Sequence, residues 1–128
     1  MHIIIGLFFI AHGVAHLVGF LSYWQITTIE TMPYKTTQLA GRIDFGDTGI
    51  RVMGILWLVG MLAFIASGLG LIFLQPWWQA LTLYTTIYSS VLSILGWPDS
   101  RYGLIINIII LGYLVFGDRL GWLPVIDD

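Results

Sequence analysis

The residues Gly6-Leu-Phe-Phe-Ile-Ala-His12-Gly13-Val-Ala-His16-Leu-Val-Gly19-Phe20 place two imidazoles in the middle of an apolar run that extends from Ile3 to about Trp24. A run of that length is enough to cross a bilayer as one helix. At 3.6 residues per turn, His12, His16, Gly19 and Tyr23 share a face, with both histidines near mid-span. Ionisable side chains at such depth need partners, and the partners must come from neighbouring helices. The rest of the chain has to provide those helices.

Its composition suits the task. Of the residues 58% are hydrophobic and 9% charged, where a soluble domain carries roughly a quarter charged residues. The expected fold is all-α: an integral membrane four-helix bundle, antiparallel up-down-up-down, with residues 1–128 forming a single membrane domain. A net charge of -2 without a basic cluster gives no electrostatic footprint for nucleic acid or anionic headgroups. The lack of cysteine excludes disulfides, thiolate catalysis and iron-sulfur clusters.

Along the chain, the first helix is expected over about 3–24, retained rather than cleaved, because no cationic leader precedes Ile3 and the run exceeds a signal-peptide core. A Thr-rich loop, 25–47, holds Glu30, Lys35, Arg42, Asp44 and Asp47, with short structure of its own allowed. The second helix is expected over about 48–74, capped by Asp47 or Thr48 and stopped by Pro76. The third covers about 77–95 and ends at Gly96-Trp97-Pro98. Asp99 is the expected cap of the fourth, about 99–116, and a tail, 117–128, with Trp122, Pro124 and two terminal acids, should lie along the surface. Trp24, Trp77, Trp78, Trp97 and Trp122 read as interfacial anchors, leaving Trp57 alone inside a span.

Helices two and four open alike, with Asp47 and Arg51 in one, Asp99 and Arg101 in the other. These four are read as interface charges that snorkel or pair with one another. Lys35, Arg42, Arg51 and Arg101 lie on the side of the first and third loops, against Arg119 on the side of the termini. The cation count predicts loops 25–47 and 96–99 cytoplasmic and both termini outside, and the expected location of this multi-pass protein is a bacterial inner membrane.

Small and polar residues suggest how the helices meet. Gly60, Ala63, Ser67 and Gly70 recur at spacings that let helix two approach a neighbour closely. Helix three carries Thr82, Thr86, Ser89 and Ser93 at similar spacing, with Thr85 and Ser90 beside them. Counted from the terminus side, His12 and Thr86 reach the same depth of about 14 Å, and His16 and Ser90 are level. Asn107, counted from the opposite side, arrives close to His16. A polar seam of His12, His16, Thr86, Ser89, Ser90 and Asn107 is therefore expected, either as self-satisfied interhelical glue or as a ligand-binding site. Its donors suit a quinone or a lipid. Haem or chlorophyll fits less well, since both membrane-embedded histidines sit on one helix. No metal site is expected, because every carboxylate lies in a loop or at a helix end.

The pattern Gly6-x5-His12-Gly13-x2-His16-Leu17-x-Gly19-Phe20 resembles the first helix of DoxX-like membrane proteins, a broad family of small four-helix bundles, although His16 stands where Lys is usual. The resemblance implies a bundle with a quinone connection, transferred onto His12, Gly13 and His16. The expected function is that of a membrane accessory or ligand-binding subunit without activity of its own. The alternatives are a quinone-linked oxidoreductase subunit and a purely structural assembly subunit of a respiratory or photosynthetic complex. Expected partners are the lipid bilayer, other membrane subunits and a second copy of the chain, with no nucleic acid.

Overall fold

Long apolar runs separated by Pro- and Gly-containing breaks give a chain made mostly of helix. The computed structural model describes residues 1–126, so the acids Asp127 and Asp128 lie outside the described residues. The elements in order are α1 His2–Ala15, α2 Leu17–Tyr23, β1 Thr37–Gln38, β2 Ile43–Asp44, α3 Gly46–Ile72, α4 Trp78–Leu95 and α5 Arg101–Leu120. Helices α1 and α2 continue one another as a 22-residue rod, His2–Tyr23, broken only at His16. That rod, α3 and α5 are each long and apolar enough to cross a membrane. Helix α4, with 18 residues, is diluted by its hydroxyls and falls short of the same apolarity.

Several boundaries differ from expectation. Neither Asp47 nor Thr48 caps α3, which begins at Gly46. Phe45 is the cap residue and gives no side-chain cap, while the Gly46 N–H donates to Asp44 Oδ1 at 2.9 Å, two residues back. Asp99 does not cap α5 either; Ser100 precedes the helix without a side-chain cap, and α5 runs on to Leu120 before the left-handed Gly121 ends it. The two acids are engaged elsewhere. Asp99 Oδ2 lies 2.7 Å from Lys35 Nζ, and Asp47 accepts a hydrogen bond from the Tyr34 hydroxyl. Their expected partners stack instead on aromatic faces: Arg51 sits 5.5 Å from the Trp24 ring centre and Arg101 4.9 Å from that of Tyr102.

The long loop is more ordered than its composition suggests. Strands β1 and β2 pair antiparallel, Thr37 opposite Asp44 and Gln38 opposite Ile43. The loop is then tied down to the end of α4 by Leu39 N–H on Leu95 O at 2.7 Å and Ala40 N–H on Trp97 O at 3.0 Å. A further bond, from the Ser22 hydroxyl to Met32 O, fixes it over the end of α2.

Helix α3 is the packing centre, meeting α1, α2 and α4, while α5 packs on α4. Glycine makes the α1–α3 crossing possible. A Cβ on Gly68 would stand 2.5 Å from Gly6 O, and one on Gly6 2.8 Å from Gly68 O, so neither position admits a side chain. One apolar cluster joins Phe9, Phe64, Leu71, Trp78, Ile110 and Leu114. A second joins Tyr23, Ile50, Met53, Trp57 and Leu92 with Met32 of the loop. Trp78 is a correction to the anchor assignment: it is 2% exposed and belongs to the first cluster, whereas Trp77 beside it is 48% exposed. The turn between α3 and α4 allows one indole outward and swings the next inward.

The distribution of polarity is inverted relative to a water-soluble bundle. Ile4, Val59, Leu62, Val91, Ile108 and Phe116 are exposed, while Ser67, Thr82, Thr86, Ser89 and Asn107 are wholly buried.

Candidate functional site: a closed polar circuit beside a cavity

The break at His16 is a consequence of its own side chain. The His16 backbone N–H bonds to Gly13 O at 2.9 Å, three residues back. The His16 ring meanwhile reaches the carbonyl that an α-helical N–H would have used, with Nδ1 2.8 Å from His12 O. A tightened turn thus exchanges a backbone donor for an imidazole donor and aims the rest of the ring into the bundle.

Three further hydrogen bonds follow. His16 Nε2 lies 2.6 Å from Ser89 Oγ on α4. Asn107 Nδ2 on α5 donates to the same Ser89 Oγ at 3.0 Å. Asn107 Oδ1 is 2.7 Å from His12 Nε2. All four side chains are buried.

The His12 carbonyl dictates how the protons are placed. It can only accept, so His16 Nδ1 carries the hydrogen; a neutral ring then leaves Nε2 to accept from the Ser89 hydroxyl. Ser89 Oγ accepts from Asn107 Nδ2–H, which orients the amide and requires His12 Nε2 to donate to Asn107 Oδ1. The two imidazoles therefore adopt opposite tautomers. His12 Nδ1 is left with a lone pair and no protein donor among the described residues.

Not all of the expected seam takes part. The Thr86 hydroxyl donates to Thr82 O at 2.6 Å and the Ser90 hydroxyl to Thr86 O at 2.7 Å, both four residues back on their own helix. Thr82 and Ser67 do the same. In an apolar setting the nearest acceptor for a helical hydroxyl is its own i−4 carbonyl, so Thr82, Thr86 and Ser90 of the stripe are spent internally. Ser90 is the expected level neighbour of His16, but the partner of the His16 ring is the adjacent, fully buried Ser89. Of the six expected seam residues, His12, His16, Ser89 and Asn107 are brought together; Thr86 and Ser90 are not.

The circuit borders a half-open cavity of about 260 Å³ between the α1–α2 rod and α5. His12, His16 and Trp57 form its inner wall, Tyr102, Gly103 and Ile106 its α5 side, and Thr31 and Met32 of the loop its cover. Asp99 and Ser100 also reach the wall, but no lysine or arginine does. Trp57 is the residue that sequence reasoning left undecided. Its ring is 5% exposed and 5.3 Å from the His16 ring centre, and it is seated on Gly19, where a Cβ would come within 2.5 Å of Trp57 Cγ. Its Nε1–H is buried without an acceptor. Its being the one tryptophan inside an expected span was the available signal. A larger groove, about 400 Å³, lies on the loop face under Leu39, Ala40, Arg42, Ile94 and Trp97; it has no unpartnered buried polar atom.

Among the described residues no three His, Asp or Glu side chains gather as a set of metal ligands. No family model, curated protein or solved structure matches this chain.

Proposed function

We propose that this chain is an integral membrane subunit that binds a small lipophilic molecule in the cavity beside His12, His16 and Trp57. The observation that carries the proposal is a buried indole N–H without an acceptor on Trp57, which lines the cavity together with the hydrogen-bonded His12 and His16. An orphaned buried donor costs about 1–3 kcal/mol, a cost that a bound oxygen acceptor would remove. A quinone or a lipid supplies such an oxygen.

Membrane residence is supported by the outward apolar and inward polar surfaces and by the three long apolar helices. We take α4 as the fourth crossing. The first apolar cluster joins α1 to the ends of α3 and α5 and to the beginning of α4, and the second joins the end of α2 to the beginning of α3 and the end of α4, which favours alternating directions. The Lys35–Asp99 pair joins the first and third loops at one end. With Arg42, Arg51 and Arg101 at the same end, this is the cytoplasmic side in our proposal, and the termini lie outside. Kinship with DoxX-like proteins is proposed on the Gly6 to Phe20 motif alone, and the subunit is assigned an accessory rather than a catalytic role, with lipids and other membrane subunits as its partners.

The test is to purify wild-type protein and the His12→Leu, His16→Gln double variant in lipid nanodiscs and to extract and quantify co-purifying quinones and lipids by mass spectrometry. A stoichiometric ligand lost in the variant is expected. Unchanged ligand content in a folded variant would remove the site assignment.

A purely structural seam is the second reading, favoured by the way the circuit closes on the His12 carbonyl with every other partner supplied internally. It predicts no stoichiometric ligand in either protein.

A further inference from the structure

The hydrogen-bond circuit does more than join three helices: it fixes which kind of polar atom the cavity presents. His12 Nε2–H is committed to Asn107 Oδ1 at 2.7 Å, so the ring has no second hydrogen to offer and only the Nδ1 lone pair remains. Trp57 has the opposite character, since an indole nitrogen is a donor and never an acceptor. Both rings line the same cavity; His12 bonds within the protein only through Nε2, and Trp57 Nε1–H is buried without an acceptor. They flank His16, whose ring centre is 4.9 Å from that of His12 and 5.3 Å from that of Trp57. The two unanswered nitrogens thus sit on rings packed against His16, one edge-on and the other at a tilt.

Charge narrows the ligand further. No lysine or arginine stands on the wall, and the one carboxylate there, Asp99, is held 2.7 Å from Lys35 Nζ at the loop. An anionic headgroup would enter without a counter-charge, at a high cost in apolar surroundings.

Resting on the ligand-binding reading above, we propose that the cavity selects an uncharged lipophile carrying a hydroxyl, which donates to His12 Nδ1, together with a second oxygen that accepts from Trp57 Nε1–H. Long-chain hydroquinones and diacylglycerols share this chemistry. A fully oxidised quinone offers two acceptors and no hydrogen, so it satisfies Trp57 and leaves His12 unanswered. A free fatty acid brings a charge that the wall does not meet.

The experiment measures binding to the full chain in nanodiscs by native mass spectrometry and by tryptophan fluorescence. It uses two matched pairs: decylhydroquinone, kept reduced, with its dimethyl ether; and 1,2-dioctanoylglycerol with its 3-acetate. Each capped compound keeps an oxygen acceptor and loses the hydroxyl hydrogen. The expected result is saturable binding of at least one hydroxyl compound, at least about tenfold tighter than its capped twin, the size of one buried hydrogen bond left unmade. Whichever pair shows the preference identifies the source. Trp57→Phe should weaken both members of that pair by about fivefold or more and keep the preference between them, because both use the indole donor. Gly103→Leu, on the α5 wall of the cavity and at a position where a Cβ meets only Ser93 Oγ at 3.4 Å, should abolish binding in a folded protein.

Equal binding of capped and uncapped compounds that is lost in Gly103→Leu would overturn the hydroxyl selection and leave the ligand-binding function intact. Absence of saturable binding by all four compounds would overturn both.

Discussion

The two sides of the first helix are built on different principles. Towards α3 it presents Gly6 and Gly13, and the partner backbone comes so close that a Cβ on Gly13 would lie 2.9 Å from Met61 O. Towards α5 it presents His12, which spans the gap to Asn107 with a side-chain hydrogen bond and leaves an open cavity alongside. One side is closed by backbone contact and admits no change of size; the other is held apart by polar side chains and has room. Small residues set where the helices cross, and long polar ones set what the space between them can hold. A substitution should therefore have opposite consequences on the two sides.

The largest effect should follow Gly68→Leu, whose side chain would meet Gly6 O at 2.5 Å, a backbone atom that cannot step aside. Loss of about 3 kcal/mol or more is expected, the upper range of overpacking, read as reversible unfolding in mixed detergent micelles. Gly103→Leu on the open side should remain within about 1 kcal/mol of wild type. Equal penalties for the two leucines would end the distinction between a closed and an open face.

Next comes Asn107→Leu, which takes away both the acceptor of His12 and the donor to Ser89. A cost of about 1–3 kcal/mol is expected for the buried groups left unpaired, with Leu similar enough in volume to keep the packing. A stability change no larger than that of an exposed substitution on α5, such as Ile108→Leu, would show that the circuit does not hold α1 to α5.

A smaller contrast sharpens the site itself. Ser89→Ala should cost about 1 kcal/mol by leaving His16 Nε2 without its donor, whereas Thr86→Ala, which removes only a bond to its own helix, should stay within about 0.5 kcal/mol. The reverse order would place the functional hydroxyl on Thr86 after all.

Those two neighbours also show how far a sequence can be read. The depth argument that sets His16 level with residue 90 is sound to within one residue, but one residue on a helix is a turn of about 100° and decides between a hydroxyl facing the bundle and one turned away. Asn107 was legible as the sole strongly polar side chain near the middle of its run, and the two histidines as the polar groups of theirs, although the depth count set Asn107 near His16 and the bond goes to His12. The helices themselves were legible for the same reason that the apolar runs are long. Trp57 could be singled out but not oriented, since an indole is at home in lipid and in a protein core alike. The pairings of Asp47 with Tyr34 and of Asp99 with Lys35 could not be read at all. They depend on where a long loop folds back, and local charge spacing favoured Arg51 and Arg101 instead.

The smallest expected effect concerns that loop. The hydrogen bond to Asp47 holds the Tyr34 phenol above its ordinary value of 10.0, and the nearby carboxylate charge acts in the same direction. For a group raised in the folded state, the stabilising contact is present below the ordinary value and disappears as pH rises through the raised one. The Tyr34 ring signals should therefore be unchanged from neutral pH up to the ordinary tyrosine range and shift only above it, and Asp47→Asn should bring the titration down. A titration at the ordinary value in wild type would show that the contact is not held in solution.

The opposing tautomers of the two buried histidines underlie both the architecture of the circuit and the chemistry of the cavity, and nitrogen-15 spectra of histidine-labelled protein in bilayers report them directly. His12 should show a protonated Nε2 and a bare Nδ1, His16 a protonated Nδ1 with Nε2 accepting, and only the His12 Nδ1 resonance should move when a hydroxyl lipophile is added. A His12 ring protonated at Nδ1, or two rings of the same tautomer, would contradict the account.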